Sequence, residues 1–334
     1  MAEPSHQFPV QCLVDPRMSL DRYFPKDHGQ AIAMNNVRTV VTEVIEFEIG
    51  GRLEFDFVGP ILSDAQGVPQ SVNNWDWFQG AILGVVIGEP ARQQVLGTAC
   101  VIAPGLAVTA AHIFDGLLQH LSEGSLGISC FGIGSETADF WRVTSITCEA
   151  SSEIVFLALA RASAIDPKRP LRQFRLTTRR PNIGEILTFI GFQFPLVAPS
   201  LDSEGTNFVG QLLISCGPTS QIYEAKRDNL LINFPAIEVE CGAAGGMSGG
   251  ALLDRDGHLI GVTSRSMETE DRRGPAYAAW ILAGLNFRVN LRWPSGLYEQ
   301  NCPVLALNPA VVHIAGREYI ERINDDQVIY RHWS

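Results

Sequence analysis

No stretch of this chain stays apolar for the roughly 20 residues that a membrane-spanning helix needs. Its first residues, Met1 to Gln7, carry neither a positive n-region nor an apolar h-region, so export by the usual signal is not expected and a cytoplasmic location is. Positive charge is also short: 25 Lys and Arg face 36 Asp and Glu, a net charge of −11, which disfavours nucleic acid or an anionic membrane as partner. The seven cysteines (Cys12, Cys100, Cys130, Cys148, Cys216, Cys241 and Cys302) are odd in number and contain no C-x-x-C pair. That excludes a full disulfide framework and fits reduced thiols. His6, His28, His120, His258, His313 and His332 do not fall into any zinc spacing with cysteines or carboxylates, so neither a metal nor another cofactor is expected. Repeats and low-complexity segments are missing as well.

What the chain does have is core-forming material and one unusual pair of motifs. At 334 residues, 46% hydrophobic and 18% charged, it can bury a large core. Gly246-Met247-Ser248-Gly249-Gly250 offers a serine in a glycine-rich turn, and Thr109-Ala110-Ala111-His112 offers an imidazole at a strand end. A hydroxyl is a weak nucleophile until a neighbouring base takes its proton, which is why these two residue types belong together. The G-x-S-x-G letters also fit the nucleophile elbow of α/β-hydrolases, but there the serine opens a helix and the histidine follows it. Here Ala251-Leu252-Leu253 and His258 to Thr263 form two apolar runs joined by an Asp-Gly turn, a hairpin signature, and His112 precedes the serine. Gly97 to His112 reads as strand, Pro-Gly turn, strand. Between them, Ser151-Ser152-Glu153 gives way to Ile154-Val155-Phe156-Leu157, which places Glu153 at the entrance of a buried strand as the carboxylate to orient His112.

In this order of histidine, acid and serine the chain resembles the trypsin-like (chymotrypsin-fold) serine protease superfamily, especially its bacterial, disulfide-free members, over roughly residues 78 to 285. The resemblance implies an all-β, chymotrypsin-like double β-barrel and assigns His112 as general base, Glu153 as orienting acid and Ser248 as nucleophile. The backbone amides of Gly246 and Ser248 would form the oxyanion hole. It also puts Gly242 at the base of the primary specificity pocket and Ser264, Arg265 and Ser266 on its wall, with Arg265 either capping the pocket toward an acidic side chain or facing solvent. No carboxylate waits at Gly242 for a basic side chain, which favours a neutral, small-to-medium substrate residue. The chain departs from the family in three places. Glu153 stands where relatives carry aspartate, and its extra methylene leaves a second reading in which it points to solvent and Ser152 or a water supports His112. Met247 replaces the aspartate whose ion pair activates trypsin-type zymogens, leaving a loop that is either formed constitutively or ordered by a partner. Ile113 replaces the secreted members' cysteine. Family members close with a helix after the last barrel strand, here expected over 276–285.

Three regions follow: an N-terminal extension over 1–77 with a β-hairpin around Gly50-Gly51, built from 40–41, 44–49 and 53–57; the double barrel over 78–285; and a C-terminal extension over 286–334. The expected function is hydrolysis of peptide bonds in a protein or peptide substrate through an acyl-enzyme. The alternative is a weak or inactive pseudoprotease acting as an interaction module, and either extension would be the docking point for a regulatory protein.

Overall fold

A computed structural model of the chain describes residues 12–14, 31–33, 37–42, 55–61, 65–72, 77–88, 93–123, 126–133, 138–149, 152–163, 170–199, 206–267, 274–324 and 327–331. Among them, strands Ile82–Ile87, Gln94–Ala103, Leu106–Ala110, Ile128–Ile133, Ala138–Glu149 and Ile154–Arg161 form one sheet that closes on itself, because Ile128–Ile133 pairs with both Ile82–Ile87 and Ala138–Glu149. A second six-stranded ring consists of Ile186–Pro199, Thr206–Tyr223, Ala236–Val239, Ala251–Leu253, His258–Ser266 and Ala276–Trp280. Ala251–Leu253 closes it by pairing with Ile186–Pro199 and His258–Ser266. Closure leaves neither ring a free edge. The chain is therefore an all-β double barrel with few helical turns.

Apolar continuity explains the first barrel. Ile154–Arg161 is buried at every position because one face fills the barrel and the other is covered. Leu106–Ala110 pairs with it and is just as buried. Past Ala110 the chain turns through a short 3₁₀ segment, Ala111–Phe114, and then a helix, Leu118–Ser122.

One expectation needs correction. The segment 276–285 is not a closing helix: Ala276–Trp280 is a strand between Ala236–Val239 and His258–Ser266, and only Ile281–Gly284 is helical, as one 3₁₀ turn. Its alanines carry helix propensity, but without this strand the second ring would stay open, so tertiary pairing wins. The expected N-terminal hairpin around Gly50-Gly51 falls largely on residues outside the described ones. Val37–Thr42 lies along Ala138–Glu149 at the first barrel, whereas Phe55–Phe57 runs parallel to Leu171–Gln173; residues 44–49 of that hairpin are outside the described residues. Within the N-terminal extension, Gln70–Ser71 pairs with the second barrel's Thr206–Tyr223.

The C-terminal extension is packed into the core. Trp293 is 5% exposed and stands edge-on to Trp141 of the first barrel at 5.3 Å between ring centroids. Val304, Leu307 and Val312 are buried, and Ile314–Ala315 adds a parallel strand beside Arg175–Thr177. Ala31–Ala33 forms a small sheet with Gln327–Tyr330 and Ile320–Asn324.

Candidate active site

The cleft residues come from chain segments whose backbones hold one another. Ile154 is paired with Ala110, so Glu153 sits opposite the first residue beyond that strand, and its carbonyl accepts the Ala111 amide at 2.9 Å. This register puts Glu153 one residue from His112 in space although 41 residues separate them in sequence. The carboxylate Oε1 of Glu153 meets His112 Nδ1 directly. On the other side of the ring, His112 Nε2 is 3.0 Å from Ser248 Oγ. With the Nδ1 proton on the carboxylate side, Nε2 is left as the acceptor for the serine hydroxyl. His112 keeps 20% side-chain exposure and Glu153 only 8%, so the acid is shielded while the imidazole reaches the cleft.

The structure brings together the three residues expected to act in sequence, and Glu153 does not point to solvent. Ser152 is not the support of His112: its hydroxyl accepts the Ile154 amide at 3.0 Å, a local turn that starts the strand. A fourth residue completes the cluster. Ser264 Oγ is buried and donates to the same Glu153 Oε1 at 2.8 Å, while its backbone carbonyl is 3.3 Å from Ser248 Oγ. Sequence reasoning put Ser264 on the pocket wall, but its hydroxyl is spent on the carboxylate. Between Thr263 and Arg265 the register with Ala276–Trp280 slips by one residue, so Ser264 is the bulged extra residue and turns toward Glu153. No one-dimensional pattern announces such a bulge.

Ser248 follows a tight turn. The Met247 amide donates to Ala244 O at 3.1 Å, and Gly246 has φ +93°, the left-handed third position that defines a type II turn. Met247 is fully buried, and its thioether accepts the Ala244 amide at 3.2 Å. Among the described residues neither the Gly246 nor the Ser248 amide has a protein acceptor. Gly249, at φ +86°, lies so close to the first barrel that a Cβ would stand 1.8 Å from Thr98 O.

Gly242 is buried, its amide bonded to Gly67 O at 2.8 Å and its carbonyl accepting Ser215 Oγ at 2.7 Å. Ser266 Oγ accepts the Ala243 amide at 3.2 Å, a link between the two segments expected to wall the specificity pocket. Arg265 is half-buried, opposite Tyr277 in register, and its Nε is covered.

No disulfide joins any two of Cys100, Cys130, Cys148, Cys216, Cys241 and Cys302. Burial pushes the thiols of Cys100 and Cys130 far up and that of Cys241 to about 12, so they pack as small apolar groups rather than react. One cluster departs from the histidine reading: ligand atoms of Asp254, Asp256 and His258 lie within 4.8 Å of one another. Asp254 Oδ1 already accepts the amides of Asp256 and His258 at 3.0 and 2.9 Å, and Oδ2 faces Arg179 Nη2 at 3.4 Å, so this carboxylate holds a β-turn. No described helix is long and apolar enough to cross a membrane.

Residues 97–262 match the trypsin-like peptidase domain family. No curated protein is similar to the chain in sequence. Among solved structures, the chain is similar to the MamO protease domain from Magnetospirillum magneticum (11% identity, 61% of this chain and 94% of that one, TM-score 0.43). It is also similar to the inactive form of the Rv3671c protease of M. tuberculosis (15% identity, 61% and 84%, TM-score 0.38). A third similar structure is the HtrA-type protease AlgW with a decapeptide (16% identity, 61% and 62%, TM-score 0.39).

Proposed function

We propose that this chain, a trypsin-like serine protease, is an endopeptidase in which His112, Glu153 and Ser248 carry the chemistry. The observation that carries the reading is the His112 ring set between the Glu153 carboxylate and Ser248 Oγ, the latter at 3.0 Å. Ser248 Oγ attacks the scissile carbonyl carbon as its proton passes to His112 Nε2. Glu153 holds the Nδ1 proton and stabilises the imidazolium. The carbonyl oxygen becomes an oxyanion facing the amides of Gly246 and Ser248, each such donor worth on the order of 3 kcal/mol. Collapse of the intermediate breaks the C–N bond, and His112 returns the proton to the leaving amine. Water, deprotonated by the same imidazole, then releases the acyl group from Ser248.

The turn over 244–247, closed by the Met247 amide on Ala244 O at 3.1 Å, supports an oxyanion loop that is formed constitutively; Met247 supplies no charge for activation by an ion pair. The Ser266–Ala243 link and the uncharged Gly242 support a pocket for a neutral, small-to-medium side chain. Net charge −11 supports a protein rather than a nucleic-acid partner, and an odd cysteine set with no C-x-x-C pair supports work in a reducing compartment such as the cytoplasm.

A fluorophosphonate probe tests the proposal. Labelling of the wild type that disappears in Ser248→Ala is the expected result. A wild type that never labels would leave the alternative, a double barrel serving as a non-catalytic interaction module.

A further inference from the structure

We infer that Thr98, a fully buried residue of the first barrel, is the positioning residue that sets the geometry of the Gly246–Ser248 amides; this rests on the catalytic reading above. Every polar atom of Thr98 is committed, and three of its four bonds cross to the second barrel. Its amide donates to Ser248 O at 2.7 Å. Its hydroxyl donates to Gly246 O at 2.9 Å and accepts the Phe192 amide, also at 2.9 Å. Its carbonyl accepts Thr109 Oγ1 at 2.6 Å.

A hydroxyl has one proton and two lone pairs, so the directions are set. The Phe192 N–H can only be received, and the single proton must go to Gly246 O. Thr98 thus pins two carbonyls, those of Gly246 and Ser248, and the Ser248 amide lies on the short stretch between them. The Gly246 amide lies one peptide plane before the first pin, on the turn whose Gly246 must hold φ +93°. Phe192 belongs to Ile186–Pro199, so the same hydroxyl ties the loop to the wall of its own barrel. The hole is therefore shaped by a side chain that touches no substrate, and its accuracy depends on how the two barrels dock. Oxyanion stabilisation is sensitive to such placement because its donors must meet a charge that exists only in the transition state.

Thr98→Val keeps the shape and removes both hydroxyl bonds, whereas Thr98→Ser keeps the bonds. Fluorophosphonate labelling is measured per folded molecule, separating the maximal inactivation rate from probe affinity, with folding followed by circular dichroism. Thr98→Val is expected to lose about ten- to a hundredfold in maximal rate with affinity nearly unchanged, and Thr98→Ser to label at close to the wild-type rate. If the valine variant does not fold, Thr98→Ala, which leaves room for water at the site, is read the same way. A purely structural role would lower the melting temperature and leave the rate of folded molecules intact; that result, or a folded valine variant labelling at the wild-type rate, overturns the inference alone. A wild type without Ser248-dependent labelling overturns the catalytic reading and this inference together.

Discussion

Ser264 Oγ donates to Glu153 Oε1 across 111 residues of sequence, at 2.8 Å, on the same oxygen that His112 Nδ1 contacts. Glu153 is thus held from both barrels, by the Ala111 amide through its backbone and by Ser264 through its side chain. This double hold is how a glutamate, with one more rotatable bond than aspartate, keeps a single position.

Removing that second support tests the arrangement. Ser264→Ala should lower kcat by about tenfold or more, since a hydrogen bond to a charged group is worth about 1.5–3 kcal/mol. KM should change little, because substrate does not touch the hydroxyl. Steady-state hydrolysis of labelled casein checks it, and a variant with wild-type kcat would show that Glu153 needs no second donor.

Glu153 itself gives a sharper outcome. Glu153→Gln preserves size and removes the charge that holds the productive tautomer, so kcat should fall on the order of 10⁴-fold while the fold persists. Glu153→Asp should also lose activity, because the backbone carbonyl is fixed by Ala111 and the shorter side chain cannot follow His112. Wild-type turnover in the aspartate variant would contradict the geometry.

Stability should depend on the C-terminal extension. Trp293→Ala removes a ring that is 5% exposed and packed on Trp141, a change costing about 3–5 kcal/mol. A chain ended at 290 also loses Val304, Leu307 and Val312 from the core and should not fold as the full chain does. Urea denaturation of both decides it; a truncated chain with an unchanged midpoint would show the extension to be dispensable.

Acid should unfold the protein through one identifiable cluster. Burial pushes the Asp254 carboxyl up, but the hydrogen bonds from His258 and the charge of Arg179 outweigh it and hold the group below its usual value. Glu185 is likewise pushed up by burial and, more strongly, down by Arg179 and the Asn182 amide. Carboxyls depressed in the folded state add stability above their unfolded values, near about 3.9 and 4.3, and lose it as pH falls through the folded ones. The melting temperature should be level near neutral pH and decline below about pH 4. Arg179→Met should cost about 3 kcal/mol at neutral pH, since it takes the cation away from the half-buried Glu185 and from Asp254, and should flatten the acid decline. An unchanged acid profile in that variant would sink the assignment.

Much of the candidate site was legible one-dimensionally because its chemistry resides in short segments. Ser248 within glycines, His112 at the end of an apolar strand and Glu153 before another are local patterns, and the hairpin signature after Ser248 pointed to an all-β chain. The role of Ser264 and the four bonds of Thr98 were not legible, since a register slip and a contact between barrels leave no trace in neighbouring letters.

By itself the sequence determined which residues could do chemistry and in what order, together with the absence of charge at Gly242 and Met247, because residue type and local spacing carry that information directly. Only the tertiary structure decided that Glu153 turns inward, that 276–280 is a strand and that the C-terminal extension belongs to the core. Each of those depends on which distant strand lies alongside. Pairing and burial across a hundred residues outweigh local preference when a barrel must close.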